Sequence, residues 1–157
     1  MIRDVTFDDL TVGDVRSLLV ERATVIKPGE PIRALLEKMI EDPRTRHVYV
    51  VDDEGVLIGS VRMNTVVEHL FPLSAVLEYS GALTMTSFHV FGAKTADDLM
   101  NDEPCFVEES TSLSDMARIL MREKINELPV VDERHRVIGE INVYEVIAAY
   151  LKASSKG

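Results

Sequence analysis

Four basic side chains in the first half of the chain lie close together in sequence: Arg44, Arg46, His47 and Arg62. A guanidinium carries a planar fork of N–H donors that matches two phosphate oxygens, so such a group is typical of phosphate binding. The alternative is a solvated basic rim that pairs with neighbouring carboxylates, for which Asp42, Asp52 and Asp53 are the candidates. The sequence leaves both interpretations open.

The second half of the chain offers carboxylates instead. Asn142 and Glu145 stand three residues apart at the start of an apolar run, which is the spacing of a helix capping box. Glu103 and Glu127 could join Glu145 in an acidic cluster for Mg²⁺ or Ca²⁺, since both ions prefer oxygen ligands. Spacing alone does not choose between a helix cap and a cation site.

No arrangement of residues typical of catalysis occurs in the sequence. There is no G-x-S-x-G elbow, no G-x-x-x-x-G-K-[ST] loop and no G-x-G-x-x-G motif. The four histidines lack metal-ligand spacing, so we expect each at the surface or at a sheet edge. Cys105 has no basic neighbour that would activate its thiol, and we expect a small buried hydrophobe. The chain is therefore predicted not to be an enzyme.

The composition and net charge limit the classes of partner that the chain can bind and the compartment in which it is expected. The 157 residues include 17 lysines and arginines against 27 aspartates and glutamates, a net charge of −10. This balance argues against binding a nucleic-acid polymer, which requires a basic face. The single cysteine excludes an internal disulfide and indicates a reducing compartment. Because neither a signal peptide nor a membrane span is evident, we expect a cytoplasmic protein.

The elements that must position these residues occur twice. Val50-Val51-Asp52 returns as Val130-Val131-Asp132, at an offset of 80 residues. An apolar stripe with i, i+3, i+4, i+7, i+8 spacing runs over 32–40 and returns over 113–121. Each copy predicts a β-α-β-β-α unit, with strands at 24–26, 48–51 and 56–61 and at 105–107, 128–131 and 137–141. The last helix should bury the stripe formed by Val143, Val146, Ile147, Tyr150 and Leu151.

The predicted fold class is α/β (α+β), with the two repeats packed sheet to sheet about a pseudo-two-fold axis, because one such unit cannot bury both faces of its sheet. The runs Asp98-Leu99-Met100-Asn101-Asp102-Glu103-Pro104 and Leu128-Pro129-Val130-Val131-Asp132 resemble a cystathionine-β-synthase (CBS) domain. Two repeats in tandem resemble a CBS pair, or Bateman module. The stretch 42–52 is more weakly similar to the cytosolic CBS modules of bacterial magnesium transporters.

The resemblance divides the chain into a lead-in at 1–13, repeat 1 at 14–70, an apolar inter-repeat segment at 71–93, repeat 2 at 94–151 and a frayed tail at 152–157. It implies a non-catalytic regulatory module that senses an adenine nucleotide or S-adenosylmethionine in the cleft between the repeats. It also implies a homodimer that transmits occupancy to a regulated protein, which the sequence does not identify. The lead-in of such pairs often packs on the opposite repeat.

The family's ligand signature is a glycine, two apolar residues, a Ser or Thr for phosphate, two variable residues and an Asp for ribose. Here Arg62 and Thr65 stand at the hydroxyl and Asp positions of the first copy. Asn142 and Glu145 stand there in the second copy, so Glu145 either binds ribose or only caps its helix. Arg46, His47 and Arg62 would lie at adjacent strand ends. The strand-opening positions that would line the cleft are Ala23, Thr24, Val48, Pro104, Cys105 and Leu128.

Two other functions remain open for the same residues. Degenerate clefts would leave a ligand-free dimerisation or protein-interaction module, with the apolar segment 71–93 as its working surface. An acidic cluster would make the module a divalent-cation sensor, with Mg²⁺ as the expected ion. No other cofactor is implied.

Overall fold

A computed structural model describes residues 9–16, 22–43, 46–70 and 93–154. The chain forms two compact units, the first from Thr24–Pro104 and the second from Met1–Ala23 together with Cys105–Gly157. Each unit holds one three-stranded sheet with helices. The mixed α+β class and the β-α-β-β-α order of both repeats are therefore confirmed, while the packing of sheet against sheet remains a prediction.

The first unit is built around a central strand. In chain order its elements are β1 (Val25–Ile26), α2 (Ile32–Glu41), β2 (His47–Val51), β3 (Leu57–Arg62) and α3 (Met63–Leu70). β1 runs parallel to β2, and β2 pairs antiparallel with β3 as a hairpin. Val48, Val50 and Val61 share one face of this sheet and pack with Leu35 in the core. The apolar alternation of β2 therefore faces the helix layer.

The second unit repeats this plan with β4 (Val107–Glu108), α4 (Leu113–Glu123), β5 (Glu127–Val131), β6 (Val137–Asn142) and α5 (Val143–Ser154). The register matches, since Val50 faces Gly59 in the first sheet and Val130 faces Gly139 in the second. Ser112 caps the start of α4, because its hydroxyl accepts the backbone N–H of Asp115 at 3.1 Å.

Each unit also contains a short lead-in segment, which we define as residues 10–16 and residues 94–101. Residues 10–16 carry α1 (Val12–Val15) and lie in the second unit, where the N–H of Val12 donates to the Thr111 carbonyl at 2.8 Å. Residues 94–101 carry a 3-10 turn (Ala96–Asp98) and lie in the first unit, where the N–H of Ala96 donates to the Glu30 carbonyl at 2.8 Å. Residues 10–16 thus pack with the second repeat, as the resemblance implies for the lead-in at 1–13. Residues 94–101 pack with the first repeat in the same way, which was not predicted from the sequence.

The two lead-ins start with the same Thr-x-x-Asp pattern. The backbone N–H and hydroxyl of Thr11 donate to the carboxylate of Asp14 at 2.9 and 3.0 Å, and Thr95 does the same with Asp98 at 3.0 and 3.2 Å. Backbone N–H donors hold the pKa of Asp14 and of Asp98 below the ordinary value. Each lowered pKa stabilises the folded state at pH values above the pKa of the same carboxyl in the unfolded chain. This stabilisation is lost as the pH falls through the folded-state pKa.

Some sequence predictions need correction or fall outside the described residues. The stripes at 32–40, 113–121 and 143–151 are not buried along their whole length, because Ile40, Met121, Ile147, Tyr150 and Leu151 are exposed. In α2 and α4 the stripe is buried only in its first turn, at Ile32 and Leu35 and at Leu113 and Met116. In α5 the prediction is wrong, because no residue of the stripe is buried and the buried side chains are those of Glu145 and Ala149.

Arg44, residues 1–8 of the predicted lead-in, residues 71–92 of the inter-repeat segment and residues 155–157 of the predicted tail lie outside the described residues. Residues 152–154 of the predicted frayed tail continue α5, which ends at Ser154. Within the described residues, no helix has both the length and the hydropathy to cross a bilayer.

Gly59 provides a test of how the second lead-in meets the first sheet. A Cβ at Gly59 would collide with the sulfur of Met100 and lie 3.1 Å from the Asn101 carbonyl oxygen. We therefore expect Gly59→Ala to lower the free energy of unfolding by roughly 1–3 kcal/mol, the usual cost of overpacking. Urea unfolding of both single variants and of Gly59→Ala with Met100→Ala measures this. The double variant should lose less than the sum of the singles; strict additivity would contradict the contact.

Candidate functional site

The predicted site residues of the first repeat, at 14–70, collect at one end of the first sheet. Ala23 and Thr24 directly precede β1, and the Thr24 carbonyl accepts the N–H of Tyr49 at 2.9 Å. Val48 is fully buried near the start of β2, while Thr65 is half-buried in the first turn of α3. The opening of β1 and β2 and the close of β3 therefore meet at this end, as a parallel strand beside an antiparallel hairpin requires.

The basic side chains predicted to bind phosphate meet at this end as well. His47 opens β2 and is the cross-strand partner of Arg62, the last residue of β3. The carbonyl of Arg46 accepts the N–H of Met63, the first residue of α3, at 2.9 Å. The structure thus places Arg46, His47 and Arg62 at adjacent strand ends beside the start of a helix.

Two of the carboxylates offered as partners for a solvated rim are engaged elsewhere. The Oδ1 atom of Asp52 accepts the N–H groups of Glu54 and Val56 at 2.9 and 3.0 Å and so shapes the hairpin. Asp53 pairs with the Lys27 ammonium at 3.0 Å. Within the described residues no carboxylate pairs with the Arg62 guanidinium, which lies at the other end of β3. These contacts favour an anion-binding role for Arg62 over a neutralised rim.

His47 corrects one expectation from the sequence. It was expected at the surface or at a sheet edge, but it lies on the central strand and is only 7% exposed. Its imidazole stacks on the ring of Tyr49, with centroids 6.1 Å apart and planes within 1° of parallel. Residues i and i+2 of a strand share a face, which is why these two rings meet. His47 is therefore a buried side chain on β2, opposite Arg62 on β3.

The second unit presents different chemistry at the same end of its sheet. The N–H of Asn142 donates to the carboxylate of Glu145 at 3.3 Å, and the N–H of Glu145 donates to the Asn142 amide oxygen at 3.1 Å. This reciprocal pair is the predicted capping box, and it closes the start of α5. Glu145 is fully buried, Leu128 is a core residue, and Cys105 is only half-buried beside that core. One carboxylate oxygen of Glu145 is thus committed to its own helix.

Two further buried carboxylates were not singled out together from the sequence. Glu127 and Glu140 are 4% and 3% exposed and lie on β5 and β6. They stand at the positions that His47 and Ser60 hold in the first sheet, where both are also buried. The sequence carries no local signal for their burial, because alternation with the core residues Leu128 and Ile141 places Glu127 and Glu140 on the other face of the sheet, which is usually exposed to solvent.

The described residues include no group of three or more histidine, cysteine, aspartate or glutamate side chains that could hold a metal ion. They do include a groove of about 460 Å³ in the second unit, a volume in the range of small-molecule sites. The groove lies at the hairpin end of that sheet, away from Asn142 and Glu145, and its charged lining includes Glu108, Arg134 and Arg136. It therefore contains none of the site residues predicted from the sequence.

Comparison with known proteins gives one family and several relatives. The family model for the CBS domain matches residues 12–72 and 96–152. A CBS domain-containing protein of Arabidopsis thaliana, CBSX2, described as chloroplastic, is 30% identical over 155 residues. The alignment covers 90% of this chain and 64% of CBSX2, so the chain spans somewhat less than two thirds of that relative.

Solved structures share the fold. The crystal structure of CBSX2 in complex with AMP is 28% identical, with a TM-score of 0.70 and coverage of 92% of this chain and 98% of that chain. The cytosolic domain of the Mg²⁺ channel MgtE in complex with ATP is 19% identical, with a TM-score of 0.65 and coverage of 90% and 49%. At that identity the magnesium channel supports the fold alone.

The capping box predicts how substitutions at its two ends differ. Asn142→Ala removes the acceptor for the Glu145 N–H and should cost about 1 kcal/mol of unfolding free energy. Glu145→Gln keeps an oxygen that accepts the Asn142 N–H, so it should cost less than Asn142→Ala. Urea unfolding at neutral pH measures both. A larger loss for Glu145→Gln would show that the buried carboxylate is held mainly by its charge rather than by the cap.

Proposed function

We propose that this chain, which belongs to the CBS domain family, is a non-catalytic module that binds an adenine nucleotide and transmits its occupancy to another protein. The observation that carries the proposal is Arg62, a guanidinium at a strand end beside Arg46 and the start of α3. The AMP complex of CBSX2 supports adenine nucleotides over other anions as the ligand class.

Phosphate recognition in the first unit rests on a substitution within the family signature. Arg62 stands where the signature places a hydroxyl, and a guanidinium supplies two parallel N–H donors where a hydroxyl supplies one. The backbone N–H of Met63 is bonded to Arg46, which keeps the Arg62 end of β3 next to β2. An arginine fixed at this place suits a terminal phosphate group, which presents several oxygens at once.

Ribose recognition is weaker in both copies. Thr65 replaces the aspartate in the first copy and offers one hydroxyl in place of two acceptor oxygens. Glu145 keeps a carboxylate in the second copy, but its capping hydrogen bond engages one oxygen and its side chain is fully buried. We therefore propose that phosphate contacts contribute more to affinity here than ribose contacts do.

Paired titrations of AMP and adenosine test this assignment. Arg62→Ala should weaken AMP binding about 10-fold or more, because a hydrogen bond to a charged group contributes roughly 1.5–3 kcal/mol. Adenosine affinity should change less than about 2-fold, since it carries no phosphate. Arg134→Ala in the hairpin-end groove is the matched control, with the same charge change and no expected effect. Equal weakening of both ligands by Arg62→Ala would exclude the phosphate role.

Thermal unfolding with added ligands separates the sensing alternatives. A nucleotide at 100 times its dissociation constant stabilises a single-site protein by about 2.7 kcal/mol. The alternative of a cation sensor requires Mg²⁺ alone to stabilise the protein to a comparable degree. The alternative of a ligand-free interaction module requires no stabilisation by AMP, ADP, ATP or S-adenosylmethionine.

A cytoplasmic location remains a prediction, and the curated relative is described as chloroplastic.

We also propose that the chain forms a homodimer through exposed apolar helix residues. The two repeats expose apolar side chains at matching positions, Ile40 with Met121 and Val67 with Ile147. Tyr150 on α5 adds a side chain that is 63% exposed. A second copy carries the same exposed residues, so in each unit the exposed helix residues can pack against their counterparts in a second copy.

Solution mass measurement tests the dimer. The variant with Ile147→Asp and Tyr150→Asp should shift the chain from dimer to monomer in sedimentation or light scattering, because charges would be buried without partners. Ile138→Asp is the control, since Ile138 is an exposed apolar residue on β6 rather than on a helix. A dimer that survives the double substitution, or a wild-type monomer, would contradict the proposed interface.

A further inference from the structure

We propose that Asn101 is a positioning residue for the nucleotide site, because it ties the turn that carries Pro104 to the strand that carries Arg62. This inference rests on the proposed function and extends it to a residue outside the family signature. All three residues belong to the first unit. Asn101 does not contact the ligand in this proposal; it acts through the chain segment that follows it.

Asn101 makes four hydrogen bonds in two directions. Its backbone forms an isolated antiparallel bridge with Ser60 of β3: its N–H donates to the Ser60 carbonyl at 2.8 Å, and its carbonyl accepts the Ser60 N–H at 3.0 Å. Its side chain turns to Glu103, whose N–H donates to Oδ1 at 3.1 Å and whose carbonyl accepts from Nδ2 at 3.3 Å. One residue thus joins a sheet strand to a turn.

The turn formed by residues 101–103 determines the position of Pro104. Both amide atoms of the Asn101 side chain are bonded to the backbone of Glu103, the residue directly before Pro104. Proline fixes its own φ and restricts the residue before it, so little freedom remains between the bonded turn and the ring. Arg62 lies only two residues beyond Ser60 on β3. The phosphate-binding and base-lining positions of the proposed site are therefore fixed to the same strand.

The approach of this segment to β3 depends on Gly59. Met100 packs against the core next to Gly59, and the Asn101 carbonyl oxygen lies 3.1 Å from where a Gly59 Cβ would stand. Asn101 itself is exposed, so its side chain contributes almost no apolar burial to the fold. The side-chain amide of Asn101 faces solvent, and both of its polar atoms hydrogen-bond the backbone of Glu103. It therefore stabilises the turn rather than the core.

The chain offers a reporter of this turn that does not depend on any ligand. Cys105 is the only cysteine of the protein, follows Pro104 directly and is half-buried. We expect Asn101→Ala to raise the alkylation rate of Cys105 by iodoacetamide several-fold in the nucleotide-free protein. Asp98→Ala is the matched control, because Asp98 bonds the backbone of Lys94 and Thr95 at the other end of the same lead-in. It should leave the Cys105 rate within about 2-fold.

Ligand selectivity is the second readout. If Pro104 lines the base and Arg62 holds the phosphate, Asn101→Ala should reduce the ratio of AMP to GMP affinity at least 5-fold and leave the ratio of AMP to adenosine affinity unchanged. Asn101→Asp keeps the acceptor for the Glu103 N–H and should recover part of the selectivity. A purely structural role would lower all affinities together and move neither ratio.

The two readouts separate the possible failures. An unchanged Cys105 rate in Asn101→Ala would overturn the positioning role, whatever the nucleotide results. If Asn101→Ala changes the alkylation rate of Cys105 but the wild-type protein binds neither AMP nor GMP, the proposed function is overturned while the role of Asn101 in the turn is supported. A changed rate with unchanged AMP-to-GMP selectivity would overturn the link between this turn and the base.

Discussion

The packing of each repeat with the lead-in of the other repeat is the constraint on which the described structure depends. A three-stranded sheet has edges whose N–H and C=O groups require partners, and residues 94–101 provide them at β3 through the Ser60–Asn101 bridge. In the second unit, residues 10–16 bond to the loop before α4 and place Val12 and Val15 in the core. Neither unit is made from one continuous repeat, so neither sheet completes its core from its own repeat alone.

The two repeats share their element order and hairpin register but carry unlike side chains. The hairpin register is the same, and the aspartates Asp52 and Asp132 shape both turns by accepting the N–H groups two and four residues on. At the opposite end, Arg62 of the first copy is matched by Asn142 of the second. The first unit therefore offers cationic donors for an anion, while the second closes its helix start with a neutral amide and a buried carboxylate. The chemistry predicts unequal roles for the two copies.

The sequence was sufficient for the features that depend on local patterns. The strands and the β-α-β-β-α order of both repeats follow from patterns within a few residues and are confirmed. The capping box that the spacing of Asn142 and Glu145 allowed is present. The Thr-x-x-Asp pattern shared by the two lead-ins does not follow from the repeat, because Thr95 follows Thr11 at an offset of 84 residues, whereas the repeated strands and helices are offset by 80 or 81. Burial of His47, Glu127 and Glu140 was beyond local reasoning, since polar residues at alternating strand positions read as solvent-facing. Exposure of Tyr150 has a different cause: the apolar period of α5 predicts a buried face through Val143 and Tyr150, whereas the buried side chains of this helix are Glu145 and Ala149.

A crystal structure of the chain grown with AMP tests the central claim most directly, because it locates the phosphate and the base at once. The account predicts phosphate oxygens within hydrogen-bonding distance of the Arg62 guanidinium and the adenine ring against Pro104. AMP bound in the hairpin-end groove with its phosphate on Arg134 or Arg136, or AMP bound with its phosphate directed away from Arg62, would contradict it.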